Sequence, residues 1–327
     1  MRDGPKKQSR PPATPSGHEE ADPRLIAGTA VAFIVATWGA LYISQSLSET
    51  DATERDAPIA DVAGFSRDAW FLPDDDLLGF VEIPAGPFVM GSDPAVDSLA
   101  FELEAWGAGR VQGIVELPVF FIGRYEVTVA QFARFARSAG YRPVEEATLH
   151  QPLDHPVTSV TWTDALAYTR WLDATLRESE STPPELARRL EEGWRVSLPT
   201  EAQWEKAARG GDARIYPWGN EPSADHANFR SRGTTPVGSF DCPGCAHGLA
   251  DMSGNVWEFT RSPYQPYPYD ASDDADDIES AALWVMRGGS FGDPEQHIRV
   301  ANRGGVDPGA RETFIGFRLV ISRPGSG

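Results

Sequence analysis

Apolar and polar residues along this chain alternate with two periods, one helical and one extended, and neither persists for long. At three points a threonine opens a run whose apolar residues recur every three or four positions. After Thr128, with Gln131 three residues on, Val129, Phe132, Phe135 and Ala136 fall on one face, and Gly140 supplies the stop. After Thr161, with Asp164, the face is Ala165, Tyr168, Leu172 and Leu176. After Thr200, with Gln203, come Trp204, Ala207 and Ala208, then Gly210 and Gly211. Each threonine and its partner three residues later can satisfy two open backbone groups of a first helical turn, so three helices are predicted. Amphipathic helices bury one face, and Trp162, Trp171 and Trp204 are expected to anchor a core rather than line a cofactor box.

The extended period is shorter. Residues 80–90 alternate around a Pro/Gly turn, which predicts a hairpin, and residues 316–321 predict a last strand. Elsewhere in the C-terminal third both periods fail. Residues 236–240, 248–258, 287–291 and 315–318 are rich in Gly, Trp, Asn and short polar turns. Such a region is built from ordered loops, whose backbone groups need side-chain amides, carboxylates or ions as partners. Asn255, Trp257 and Glu258 are residues of that kind. No internal repeat is visible.

Near the start the pattern is different again. Residues 25–48 carry no charged side chain, and about 20 apolar residues suffice to cross a bilayer as a helix. Trp38 and Tyr42 lie toward its far end, where aromatic rings favour the interface. Arg2, Lys6, Lys7, Arg10 and Arg24 precede the run, and Glu49, Asp51, Glu54 and Asp56 follow it. Basic residues mark the cytoplasmic side. The expected order is a disordered cytoplasmic tail (1–24), a single transmembrane anchor (25–47), an acidic tether (48–79) and a folded body (80–322). The body would lie in the periplasm or otherwise outside the cytoplasm, held to the inner membrane. A cleaved signal peptide fits less well, because the leader is long and no Ala-x-Ala site follows.

Composition narrows the function. The net charge of −19 argues against nucleic acid, whose phosphates demand a basic face. Of the 327 residues only Cys242 and Cys245 are cysteines, too few for a disulfide scaffold. Their C-x-x-C spacing suits one local disulfide. A redox pair would call for a helix start that Pro243, Gly244 and Ala246 do not offer, and a zinc site lacks completing ligands apart from His247. The six histidines form no metal-type cluster, His155 leading a strand-like His-Pro-Val. GGSFG (288–292) matches a nucleophile elbow formally, but Asp293 and Pro294 follow where a helix is required. The acidic run 273–277 is expected to be a solvated loop.

The segments FVEIPAGPFVMG (80–91), YEVT (125–128), HPV (155–157), LPTEAQWEKAA (198–208), YPWGN (216–220), GNVWE (254–258) and RGGSF (287–291) occur in order. Together they closely resemble the formylglycine-generating enzyme, or sulfatase-modifying factor, family across residues 80–322. The resemblance implies an α+β, loop-rich, C-type-lectin-like fold with few short helices and strands. It also implies a calcium ion held by the carboxylates of Asp251 and Glu258 and the carbonyls of Gly254 and Val256, all hard oxygen ligands. A second family calcium would use Asn228 and Phe229, but the following loop 230–235 has no acid. A groove for an exported polypeptide would include Trp257, Ser290, Asn302 and Arg303. The family's oxidases carry a copper-binding cysteine pair after the active-site serine. Here Ser290 matches that serine, yet residues 289–303 contain no cysteine. Soft thiolates suit Cu(I), and a lone serine does not replace them. Calcium is therefore expected and copper is not, and the chain is read as a binding protein in maturation or assembly. An oxidoreductase working through a different site is the alternative.

Overall fold

The computed structural model describes residues 59–324 apart from 108, 110 and 275–282. The tail and anchor expected over 1–47 lie outside the described residues. Among the described residues no helix is long and apolar enough to cross a membrane.

All three predicted helices form with their capping boxes closed: α1, Val129–Ala139; α2, Trp162–Glu178; and, after a fourth helix, the one opened by Thr200. That intervening helix, α3 (Pro184–Glu191), carries no Thr box and starts on a proline at its first turn, which the apolar pattern did not reveal. The last is α4, Glu201–Arg209. Gly140 ends α1 in the left-handed conformation at φ 60°.

Twelve short strands are described. A four-stranded sheet runs β3 (Phe80–Ile83), β6 (Phe120–Gly123), β12 (Val320–Ser322), β7 (Arg195–Ser197), all neighbours antiparallel. A second runs β10 (Arg303–Val306), β9 (Trp284–Arg287), β8 (Trp257–Pro263), β11 (Ile315–Gly316), with β8 and β11 parallel. Two-stranded ladders join β1 (Phe65–Ser66) to β2 (Leu72–Pro73), and β4 (Gly86–Met90) to β5 (Gly113–Leu117). This is a mixed fold with few helices. α1 and α2 pack through Phe132, Phe135 and Tyr168 onto Phe317, and Trp162 stacks on Trp284 with ring centres 4.1 Å apart. Trp162 and Trp204 are fully buried in two separate core clusters, and Trp171 lies against that of Trp162, as expected of anchors.

Three sequence expectations are corrected. Residues 80–90 do form two strands, but not a hairpin: β3 pairs with β6 and β4 with β5. Lys206 Nζ donates to the carbonyls of Pro84 and Gly86, 2.8 Å each, and so ties the connecting turn to α4. The predicted last strand 316–321 is divided into β11 and β12 by a segment that turns Arg318 into the interior. Residues 59–79, expected as part of a tether, belong to the folded body. Ile59, Val62 and Phe71 are buried against Ala130 and Ala133 of α1, because their apolar side chains find the rear of that helix.

Candidate functional site

The turn from Asp251 to Glu258 is where the irregular segments converge. Asp251 and Asn255 both adopt positive φ, 56° and 60°, a conformation that Asp and Asn tolerate better than other side chains. Between them Gly254 is obligatory: a Cβ there would meet the Asn228 carbonyl oxygen at 2.2 Å. Asn255 then serves as the partner the loops require. Its carbonyl oxygen accepts from Thr235 N (3.0 Å) and Asn228 Nδ2 (3.2 Å), while its amide donates to Glu126 Oε2 (2.9 Å). Asn228, which the family's second calcium would use, is engaged in these loop contacts.

The carboxylates around this turn outnumber their counter-charges. Glu258 is fully buried, and Arg318 Nε and Nη2 donate to its two oxygens at 2.6 Å each, with Trp204 Nε1 at 2.7 Å. Asp251 accepts one backbone bond, from Gly238 N at 2.6 Å. Burial pushes the Asp251 carboxyl up to about 6, against partial relief from that bond and from Arg318. Glu126 is raised well above its ordinary value by burial and then by the charges of Asp251 and Glu258. Its Oε1 is buried without a partner. Asp251 and Glu258 were legible as candidate ligands; Glu126, in the YEVT segment, was not, because nothing in the sequence shows that β6 brings it here. Among the described residues no three His, Cys, Asp or Glu side chains converge as a complete metal cage, so an ion here would depend also on carbonyls such as those of Gly254 and Val256.

Beside this turn lies the Ser290 segment, centred on Asp293, which in the sequence marks only where a helix fails to start. Asp293 Oδ2 accepts from Ser290 Oγ (2.7 Å), Ser290 N (2.9 Å) and Trp257 Nε1 (2.8 Å), and Oδ1 lies 3.0 Å from His297 Nδ1. Asp293 thus brings Trp257 and Ser290 together. Gly289, at φ 72°, permits the turn, since a Cβ would meet the His297 carbonyl at 2.7 Å. Ser290 is 4% exposed and its hydroxyl is given to a carboxylate, not a histidine, which is no arrangement for a serine nucleophile. Asn302 is also near, donating to the His297 carbonyl at 2.6 Å. Arg303 is not presented in the same way. Its guanidinium pairs with Glu201 (2.7 and 2.8 Å) and lies over the Tyr267 ring.

Cys242 and Cys245 form a disulfide, and with no other cysteine in the sequence no free thiol remains. Part of the acidic run departs from its expected solvated state. Asp274 is turned inward to accept from Ser262 and Tyr269, and burial raises its carboxyl to about 6.

Residues 72–323 match the family model for the sulfatase-modifying factor enzyme 1-like domain. The chain is 30% identical over 284 residues to hercynine oxygenase of Mycolicibacterium smegmatis, covering 73% of this chain and 60% of that one. It is 29% identical to the inactive C-alpha-formylglycine-generating enzyme 2 of Bos taurus, over 80% of this chain and 94% of the relative. The formylglycine-generating enzyme of Thermomonospora curvata is likewise 29% identical, over 75% and 94%. Among solved structures, PvdO from Pseudomonas aeruginosa superposes with a TM-score of 0.58 at 25% identity, covering 74% of this chain and 94% of that one.

Proposed function

The chain belongs to the sulfatase-modifying factor enzyme 1-like family, and on that premise we propose that its folded body binds an exported polypeptide, in maturation or assembly, without copper-thiolate oxidation. One observation carries this reading. In the segment after Ser290, where the resemblance puts the oxidases' cysteine pair, this chain has none; Asp293 gathers the hydrogen bonds of Ser290 and Trp257, and both cysteines of the sequence are tied to each other elsewhere. A carboxylate is a hard ligand and does not substitute for the thiolate pair that holds Cu(I). The family tolerates loss of the reaction, as the name of its bovine inactive relative says. Peptide contact would fall to Trp257, Ser290 and Asn302, with Arg303 acting from behind through Glu201.

Calcium belongs to the same proposal. Asp251, Glu258 and the carbonyls of Gly254 and Val256 would hold it, with Glu126 as the nearest further carboxylate. Three buried carboxylates facing one guanidinium, one of them with an unpartnered oxygen, is the observation that supports the fit. When bound, the ion supplies positive charge that fixes the turn, and the residues of the turn in turn orient Trp257. The anchor over 25–47, with the body outside the cytoplasm, completes the reading; the disulfide suits an oxidising compartment.

The full-length chain, incubated with a Cys-x-Pro-x-Arg peptide, copper and reductant, is expected to leave the peptide mass unchanged. Conversion well above a heat-killed control would overturn the binding reading in favour of the second one, an oxidoreductase with a different site. Asp293 and His297 are the observation that favours that second reading, since they place titratable groups beside Ser290. For topology, protease added outside the inner membrane should digest the body and spare the tail.

A further inference from the structure

Helix α2 presents Leu166, Thr169, Arg170, Asp173 and Arg177 toward the edge strand β7, and the two elements enclose a cleft of about 580 Å³. Gly193, Arg195, Val196 and Ser197 complete its wall. The spacing of the α2 residues is that of one helical face. A volume of this size suits a small organic ligand or one or two side chains, and exceeds what an isolated inorganic ion fills.

The charges in the cleft are sorted by role. Asp173 is fully engaged: Arg177 Nε donates to Oδ2 at 2.8 Å, and the backbone N–H of Val196 donates to Oδ1 at 2.9 Å. Arg177 also donates to the carbonyls of Leu190 and Trp194, so it ties α2 to the chain between α3 and β7. That pair is internal scaffolding with its charges matched. Arg195 is different. It is exposed at the cleft wall and makes no side-chain hydrogen bond or ion pair among the described residues. Arg170 also borders the space. Three guanidinium groups and one carboxylate therefore line the cleft, on a chain whose net charge is −19.

The backbone of β7 narrows the mode of recognition. A peptide strand adding to this edge would need the outward N–H of Val196, which Asp173 already occupies. Side-chain recognition remains. We propose that this cleft is an anion-binding site for a carboxylate or phosphate group on an organic body, gripped by Arg195 and Arg170 over the apolar floor of Leu166 and Val196. A guanidinium fork offers paired donors to either oxyanion. The site shares no residue with the Ser290 segment and stands independently of the proposed peptide function.

Titration calorimetry and thermal melting of the full-length chain test this with two probes, inorganic phosphate and a Glu-rich hexapeptide. Binding of either is expected, with at least tenfold weakening in Arg195→Glu and a comparable loss in Arg170→Glu. Arg311→Glu, an exposed change of equal charge outside the cleft, should bind as wild type. Binding of phosphate without the peptide assigns a phosphate group to the organic ligand; binding of the peptide assigns a carboxylate. Binding of neither probe, or an equal loss in Arg311→Glu, overturns the proposal. Should Arg195→Glu melt early without ligand, Arg195→Gln keeps the stem and removes only the charge, and the same tenfold loss is required of it.

Discussion

Around Arg287, two carboxylates, Glu201 and Glu205, meet three guanidinium groups, those of Arg209, Arg287 and Arg303. Around Arg318, three carboxylates, Asp251, Glu258 and Glu126, share one. Both clusters are buried and both are assembled from segments far apart in the chain. Burial by itself raises the Glu205 carboxyl, yet Arg209 and Arg287 overrule it and hold the group below its ordinary range. In the second cluster burial wins, and Asp251 and Glu126 move up. The contrast separates two uses of buried charge: a cluster in which every carboxylate is matched by a guanidinium fastens loops to α4 on its own, whereas one whose carboxylates outnumber their guanidinium is finished only by a proton or a cation.

The comparison is broken most severely at its matched half. Arg287→Met should cost on the order of 3–5 kcal/mol, because it strands buried carboxylates without their partner. The urea midpoint measures this, and a loss below about 1 kcal/mol would mean that Glu205 is not dependent on Arg287. At the unmatched half, added Ca²⁺ should raise the melting temperature of the wild type, by an amount equivalent to about 2.7 kcal/mol at a hundredfold excess over Kd. Asp251→Asn combined with Glu126→Gln should abolish that response; indifference of the wild type to chelator would remove calcium from the proposal.

The two halves should also answer pH with opposite sign. In chelator, Asp251 titrates near 3.8 when unfolded and about 6 when folded, so the folded state retains its proton across that interval. Its contribution to stability is complete below about pH 4 and is lost as pH rises through about 6. Glu205, held below its ordinary value, contributes stability above that value and loses it as pH falls. Asp251→Asn should therefore flatten the decline in stability between about pH 4 and 6 relative to wild type, which denaturation series at several pH values resolve. A decline of unchanged slope would refute the assignment. The smallest effect is expected of Glu126→Gln, within about 0.5 kcal/mol, since burial disfavours the charge that this change removes and the amide keeps the shape.

Legibility followed the range of the interaction. The capping boxes of Thr128, Thr161 and Thr200 were readable because donor and acceptor lie three residues apart, and all three are closed in the structure. α3 was missed because Pro184 leaves no comparable polar signature. Residues 80–90 were readable as extended but not as to partner, since alternation fixes which faces are buried and says nothing of which strand lies alongside. In the candidate site, Asp251, Glu258, Trp257 and Ser290 came from contiguous motifs. Asp293 and His297 carried a weaker signal, three and seven residues after the serine: Asp293 stands in the sequence, with Pro294, where a helix fails to start, and His297 as one of six unclustered histidines.

The sequence by itself determined that the C-terminal third is loop-built, that its family resemblance is to the formylglycine-generating enzymes, and that no cysteine follows Ser290. Those are properties of residue identity and local order. Only the tertiary structure decided how the charges are matched. Glu201 and Glu205 lie one helical turn apart on α4, but Arg287 and Arg303 reach them from the neighbouring strands β9 and β10. Glu258 takes its guanidinium from 60 residues away, and Glu126 is left with an unpartnered oxygen. A buried charge has an energy set by what surrounds it within a few ångströms, and in a chain whose loops fold back on one another that neighbourhood is not written in sequence order.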